Sequence, residues 1–348
     1  MNLKPVNEQV IVLTGATSGI GLTTARKAAA RGARLVLNAR NTEALRILCR
    51  ELDPTGARVI GVAGDVASES DMLKAAAAAL SRFGNFDTWI NNAGVSIYGR
   101  LEDVPDADSR RLFETNFWGT VNGSLIAARN LRLNGGAIIN VGSTLSDRAI
   151  PIQGMYCASK HAVKGFTDAL RMELEAEGAP ISITLIKPSA IDTPYKEHAK
   201  NHLNTQPENP PPVYAPETVA DAILYSAENP VRDVFVGLGG KLLSAMGNYA
   251  PRTTDLVMES TMMEMQKAGG PPSDEFQGLY QSSDPRLRTR GGYSGHVAES
   301  SVYTKASLHP YIAGSALALG VGGLLYAISN RTSTRPDSRR RPPAKQAR

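Results

Sequence analysis

Val10-Ile11-Val12-Leu13-Thr14-Gly15-Ala16-Thr17-Ser18-Gly19-Ile20-Gly21 runs from four apolar residues, three of them β-branched, straight into a glycine turn. A helical pattern follows to about Arg31. Strand, glycine turn and helix in this order is the context a phosphate-binding turn requires. Glycines let the backbone approach a pyrophosphate closely, and the helix N-terminus offers free N–H groups at the positive end of its dipole. The spacing is G-x-x-x-G-x-G, and a glycine cluster by itself also serves as a plain turn.

Outward from this stretch, six further short apolar runs follow: Ala33 to Ala39, Arg58 to Ala63, Thr88 to Ile90, Ala137 to Gly142, Ile181 to Ile186 and Asp233 to Val236. Periodic helical stretches at about 20–32, 41–53, 69–83, 106–131, 154–178 and 216–228 lie between them. Such alternation predicts an α/β fold with a Rossmann-type, doubly wound parallel sheet of seven strands, helices on both faces. About 240 residues bury a full core as one domain, expected over residues 1–250.

The second strand ends Asn38-Ala39-Arg40, where a fold selecting NAD places a carboxylate on the adenosine ribose. No acid stands there, and a guanidinium fork suits a 2′-phosphate, so Arg40 points to NADP; a solvated surface arginine is the plain alternative. Gly64-Asp65-Val66 closes the third strand, and Asn92-Ala93-Gly94 follows the fourth. Asp65 is placed to accept from an adenine amino group. Asn92-Ala93-Gly94 is placed to line the adenine-ribose crevice, with the Asn92 amide tying neighbouring strands. Either Asp65 or Asn92 could instead simply form a turn.

Ser143 ends the fifth apolar run, and thirteen residues later comes Tyr156-Cys157-Ala158-Ser159-Lys160. A hydroxyl at the C-terminal end of a strand projects into the crevice where open α/β sheets bind ligands. Positions i and i+4 share a helix face, which brings Lys160 within reach of the Tyr156 phenol. A phenol ordinarily titrates near ~10, and an adjacent ammonium favours its phenolate, so the pair is expected to lower the Tyr156 pKa toward the working pH of a general acid/base. A tyrosine packed in the core beside a snorkelling lysine gives the same spacing.

Taken together, these motifs resemble the short-chain dehydrogenase/reductase family, in its compact branch with T-G-x-x-x-G-x-G and Y-x-x-x-K, over roughly residues 8–240. The resemblance implies an oxidoreductase that interconverts a carbonyl and an alcohol by hydride transfer with NADP. It implies Tyr156 as acid/base and Ser143 as the carbonyl-positioning hydroxyl. Lys160 would lower the tyrosine pKa while binding the nicotinamide ribose. Asn116, in Glu114-Thr115-Asn116-Phe117-Trp118-Gly119, would hold a water of the proton relay. Gly15, Thr17, Ser18, Gly19, Ile20, Gly21, Arg40, Asp65, Val66, Asn92, Ala93, Gly94, Pro188, Ile191 and Thr193 would join Tyr156 and Lys160 around the cofactor. The family usually reads Pro-Gly where this chain reads Pro188-Ser189, which is expected to bring a side chain near the nicotinamide face. The resemblance also implies a substrate lid within 192–215 and a homodimer or tetramer. Ile150, Pro151, Met155 and Ile191 suggest an apolar pocket wall.

The last third reads differently. Residues 251–268 are methionine-rich with amphipathic spacing, suited to docking on the main domain, or alternatively to a partner or membrane surface. Residues 269–310 are rich in Gly, Pro, Ser and charge and read as a tether, partly draped over the domain. Residues 311–329 are nineteen uncharged residues, about 28 Å as a helix at ~1.5 Å per residue, which suits a membrane helix. Residues 330–348 form a basic tail expected to be disordered. From 331 onward it holds seven Arg or Lys and one Asp, so the net +5 of the chain belongs to the tail and the rest sums to −1. That balance gives no nucleic-acid signal. The tail's charge bias alone would place the tail in the cytoplasm, whereas the absence of an apolar N-terminal segment and the expected need for NADP favour a membrane-associated protein with a cytoplasm-facing domain. Two cysteines offer neither a disulfide framework nor a metal set, and Cys157 is assigned to packing. A small-molecule carbonyl or alcohol, lipophilic by the inferred location, is the expected substrate. A membrane-tethered NADP-binding scaffold or sensor is the alternative.

Overall fold

The computed structural model describes residues 1–271, 278–282 and 286–310. Seven parallel strands form the central sheet: β1 (Val10–Thr14), β2 (Arg34–Ala39), β3 (Val59–Ala63), β4 (Thr88–Asn91), β5 (Gly136–Val141), β6 (Ile181–Pro188) and β7 (Asp233–Val236). Their spatial order is β7-β6-β5-β4-β1-β2-β3. The order reverses between β1 and β4, which opens a crevice at the carboxyl ends of those strands. Every residue of β1 and of β6 is buried, as strands covered on both faces should be, whereas the edge strand β3 alternates.

Helices α1 (Gly19–Ala30), α2 (Thr42–Leu52), α3 (Glu69–Phe83), α4 (Asp106–Phe113), α5 (Gly119–Asn134), α6 (Gly154–Ala176) and α7 (Pro216–Glu228) connect the strands. Their starts follow side-chain chemistry: Asn41 accepts from Ala44 N ahead of α2, and Ser68 from Asp71 N ahead of α3. One core layer joins Met72, Ala75 and Ala79 of α3, Ile126 and Leu131 of α5, and Leu170 and Leu174 of α6 to Val12, Trp89, Ile138 and Ile183 of the sheet. Each such Leu, Ile or Met contributes roughly 1.5–3 kcal/mol by leaving water. A buried polar chain crosses the same layer: Asn91 Nδ2 donates to Asn140 Oδ1 (2.8 Å) and Asn140 Nδ2 to Thr167 Oγ1 (3.0 Å), locking β4, β5 and α6 in register.

The single helix expected over 106–131 is broken by a π turn at Glu114–Trp118, between α4 and α5. Beyond β7, helix α8 (Leu238–Tyr249) leads to α9 (Pro251–Val257) and a second π turn at Met258–Met262. Met258 is buried against Ile150 and Cys157, so this methionine-rich segment docks on the domain.

One compact unit runs from Met1 to Thr304, well past residue 250. Within the stretch read as a tether, Val297–Ala298 pairs with Val213–Tyr214, which pairs with Ala190–Ile191. The backbone N–H groups of Gly291 and Tyr293 also donate to Asp192 Oδ1 (3.0 and 3.1 Å). Among the described residues no helix is long and apolar enough to cross a membrane; the run 311–329 and the basic tail lie outside the described residues.

Candidate active site

The glycine turn after β1 sits at the sheet crevice. Gly15 has φ +64°, a left-handed conformation that suits glycine. A Cβ on Gly21 would enter the Gly15 carbonyl oxygen, so the third glycine is required for α1 to close on the turn. Gly15, Thr17, Ser18, Gly19, Ile20, Arg40, Asp65, Val66, Asn92, Ala93, Gly94 and Thr193 line one cleft. Gly21, Tyr156, Lys160, Pro188 and Ile191 do not line it. Gly21 serves helix packing, Pro188 is paired in the sheet opposite Val236, and the Ile191 carbonyl accepts from Thr193 N and Asn209 Nδ2.

Asn92 does tie strands together: its Nδ2 donates to the Thr14 and Gly15 carbonyls (3.0 and 3.2 Å), and its N–H to Thr14 Oγ1 (3.0 Å). Asp65 is engaged by a partner the sequence reading missed, the Arg111 guanidinium of α4, and its Oδ1 accepts from Ala67 N at 3.0 Å. Arg40 is held by backbone: it donates to the carbonyls of Gly278 (2.6 Å), Gln281 (2.9 Å) and Leu279 (3.3 Å). The C-terminal extension thus reaches the Arg40 end of the cleft, with Ser282 on its lining. Gly19 N donates to the Arg288 carbonyl (2.9 Å), and Leu279 is fully buried in a cluster with Val95, Ile97, Leu112 and Tyr156.

His198 is a second residue no motif signalled. Its Nε2 lies 2.7 Å from Ser18 Oγ, and burial with the neighbouring Arg40 and Arg288 charges lowers its pKa to about 4. The imidazole is therefore neutral at pH 7.

Fit to a dinucleotide is testable on the lining itself. Two buried oxygens there, Asn38 Oδ1 and Thr115 Oγ1, lack a hydrogen-bond partner among the described residues. Such orphaned groups, with a glycine cradle and a guanidinium beside them, match the polar needs of an adenosine phosphate.

Behind Tyr195 and Gly94 of the lining, α6 and the close of β5 assemble Ser143, Tyr156 and Lys160. Ser143 Oγ accepts from Leu145 N (3.0 Å), which holds the hydroxyl at the start of the turn Thr144–Ser146. The Tyr156 phenol is in polar contact with the side chains of Ser143 and Tyr195, and Lys160 Nζ lies 5.7 Å from its ring centroid. The three residues meet as the spacing predicted.

The electrostatics differ from expectation. Burial pushes Tyr156 up to about 12, the Ser143 and Tyr195 contacts only partly offsetting it. Desolvation lowers Lys160 to about 8, and its ammonium donates to the Val141 carbonyl (2.9 Å). The expected lowering of the tyrosine by the lysine is absent here, because removing both groups from water outweighs an attraction acting across the ring.

Asn116 lies in the π turn, and its side chain is spent on structure. Oδ1 accepts from Val95 N (2.8 Å), and Nδ2 donates to Val95 O (2.9 Å) and Ser159 Oγ (3.1 Å). It clamps the loop after β4 onto α6. Ser189, expected near the nicotinamide face, instead turns to α8, where its Oγ accepts from Gly240 N (3.1 Å). Cys157 is buried, with a thiol raised to about 11 by desolvation, in keeping with packing. Among the described residues no cluster of His, Cys, Asp or Glu could hold a metal ion.

Residues 9–204 match the family model of the short chain dehydrogenases. The chain belongs to the short-chain dehydrogenase family. An uncharacterized oxidoreductase of Bacillus subtilis, YxnA, is 44% identical over 321 residues, covering 91% of this chain and 90% of its own. Dehydrogenase/reductase SDR family member 7B of Bos taurus is 40% identical over 197 residues, and the match spans 59% of that protein. Among solved structures, a short chain dehydrogenase from Burkholderia cenocepacia in complex with NADP superposes with TM-score 0.61 at 26% identity, covering 73% of this chain and 99% of that one. This short-chain dehydrogenase is an oxidoreductase with the family's nicotinamide-binding fold.

Proposed function

We propose that this protein interconverts a carbonyl and an alcohol with NADP(H), Tyr156 acting as the acid/base. The observation that carries the reading is the convergence of Ser143 and Lys160 on Tyr156, whose ring packs edge-on against Tyr195 of the cleft lined by the glycine turn. The nicotinamide would supply or accept the hydride when bound. Ser143 Oγ, held by Leu145 N, orients the substrate oxygen. Tyr156, kept protonated by burial, gives its proton to that oxygen in reduction and takes one in oxidation. Lys160, whose ammonium donates to the Val141 carbonyl close to Gly94, would bind the nicotinamide ribose.

Arg40 at the end of β2, with no acid in its place, supports NADP, and the NADP held by the Burkholderia relative agrees. To meet a 2′-phosphate its guanidinium must share or exchange the carbonyls of 278–281. Tyr156→Phe should abolish NADPH oxidation across a panel of ketones and aldehydes while NADPH still binds by fluorescence titration. Undiminished turnover would remove Tyr156 as the acid.

A further inference from the structure

Gly278, Leu279 and Gln281 lie outside the residues that match the family, yet their carbonyls converge on one side chain of the cleft, Arg40. A guanidinium carries one N–H on Nε and two on each terminal nitrogen. Nη2 spends both of its hydrogens, on Gly278 O (2.6 Å) and Gln281 O (2.9 Å), and Nη1 spends one on Leu279 O (3.3 Å). Nε–H and the second Nη1–H are not taken by these carbonyls. Among the described residues Arg40 forms no ion pair, because Asp65, the acid on the same lining, pairs with Arg111. Neutral oxygens therefore fix the plane of the fork while its charge stays uncancelled beside the cleft.

The carbonyls are themselves held from outside the cleft. The Leu279 side chain is fully buried with Val95, Ile97 and Leu112, and its carbonyl also accepts from Arg111 Nε of α4 (3.3 Å). Tyr280, half-exposed, donates its hydroxyl to Asp108 Oδ1 of α4 (2.7 Å), and the other oxygen of Asp108 lies 2.8 Å from His202 Nε2. A Cβ on Gly278 would enter the Glu197 carbonyl oxygen, so the chain there sits directly on the turn Pro194–His198. Residues 278–282 are thus fastened to α4 and to that turn, and Ser282 and Arg40 border the same cavity as the glycine turn. An arginine already fixed in this way has less rotamer freedom to lose when it meets a phosphate.

We propose that residues 278–282 form a wall of the coenzyme site and set its preference for a 2′-phosphate, the carbonyls of Gly278, Leu279 and Gln281 positioning Arg40. This rests on the reading of Arg40 as the partner of that phosphate. The phosphate is met by the donors the carbonyls leave over, so the segment stays docked when NADPH binds. Docking and NADPH binding then favour each other, and by linkage the effect is reciprocal. NADH, which has no phosphate at that place, gains nothing from the positioned fork.

The test is fluorescence titration of NADPH and of NADH into the full chain carrying Leu279→Ala, which loosens the buried anchor, or Tyr280→Phe, which removes the bond to Asp108 from a half-exposed side chain. NADPH should bind about tenfold more weakly to the first and about threefold more weakly to the second, with NADH changed by less than about twofold in both. Amide hydrogen exchange over 278–282 in the wild-type chain should slow at saturating NADPH and hardly change with NADH. An NADPH/NADH affinity ratio that keeps its wild-type value in both variants would overturn the proposal, and so would faster exchange on adding NADPH, which would show the coenzyme displacing the segment. If Leu279→Ala does not fold, Tyr280→Phe decides by the same ratio. Arg40→Leu keeps the two readings apart. A wild-type ratio in that variant sinks Arg40 as the phosphate partner, whereas a ratio lost there but kept in Leu279→Ala and Tyr280→Phe sinks only the role of 278–282.

Discussion

Lys160 Nζ donates to the Val141 carbonyl at 2.9 Å while standing 5.7 Å from the centre of the Tyr156 ring, so the ammonium is fastened to the end of β5 and not to the phenol. The lysine is buried, and one backbone carbonyl replaces only part of its hydration. Its pKa falls from an ordinary 10.5 to about 8.

That depression sets a pH dependence of stability. The unfolded chain keeps the Lys160 proton up to about 10.5 and the folded protein releases it near 8, so unfolding takes up a proton between these values and stability rises with pH across that window. Below about 8 the full cost of the buried charge is present, on the order of 3 kcal/mol. Lys160→Met should therefore raise unfolding stability at pH 7 by about 1–3 kcal/mol, less at pH 10, while abolishing turnover. Urea unfolding at the two pH values checks this. Equal effects at both would refute it.

Arg40→Asp should shift the NADPH/NADH ratio of kcat/KM toward NADH by at least about tenfold, from loss of a charge-assisted phosphate contact worth roughly 1.5–3 kcal/mol. The same change places a carboxylate against the carbonyls of Gly278, Leu279 and Gln281, so protease sensitivity of the extension should increase. An unchanged coenzyme ratio would exclude Arg40 as the 2′-phosphate partner.

Two glycines should respond oppositely to alanine. A Cβ on Gly21 would overlap the Gly15 carbonyl oxygen and crowd Asn92 Nδ2, so Gly21→Ala should cost about 3 kcal/mol or more and weaken dinucleotide binding. Gly165, inside α6, has nothing within 4 Å of its Cβ position, and Gly165→Ala should stabilise by about 0.5–1 kcal/mol. Thermal unfolding of the two variants reads both signs.

Leu279→Ala should cost about 2–4 kcal/mol, since the side chain is fully buried among Val95, Ile97, Leu112 and Tyr156. Chemical denaturation with and without NADPH measures it. A loss under 0.5 kcal/mol would mean that the extension adds nothing to the domain.

By itself the sequence determined the sheet, the glycine turn and the meeting of Ser143, Tyr156 and Lys160. These depend on short-range rules: β-branched runs make strands, Gly15 and Gly21 allow a tight turn onto a helix, and residues four apart share a face. Only the tertiary structure decided that Asn116 clamps Val95, that Ser189 turns to α8, and that Arg40 meets the carbonyls of 278–281. Each depends on which distant segment arrives, and no local pattern in Met258 or Leu279 announces that it will lie beside α6. The Tyr156 pKa departs from the expected lowering for the same reason. Spacing shows that two groups are near, but the cost of taking them out of water depends on everything packed around them.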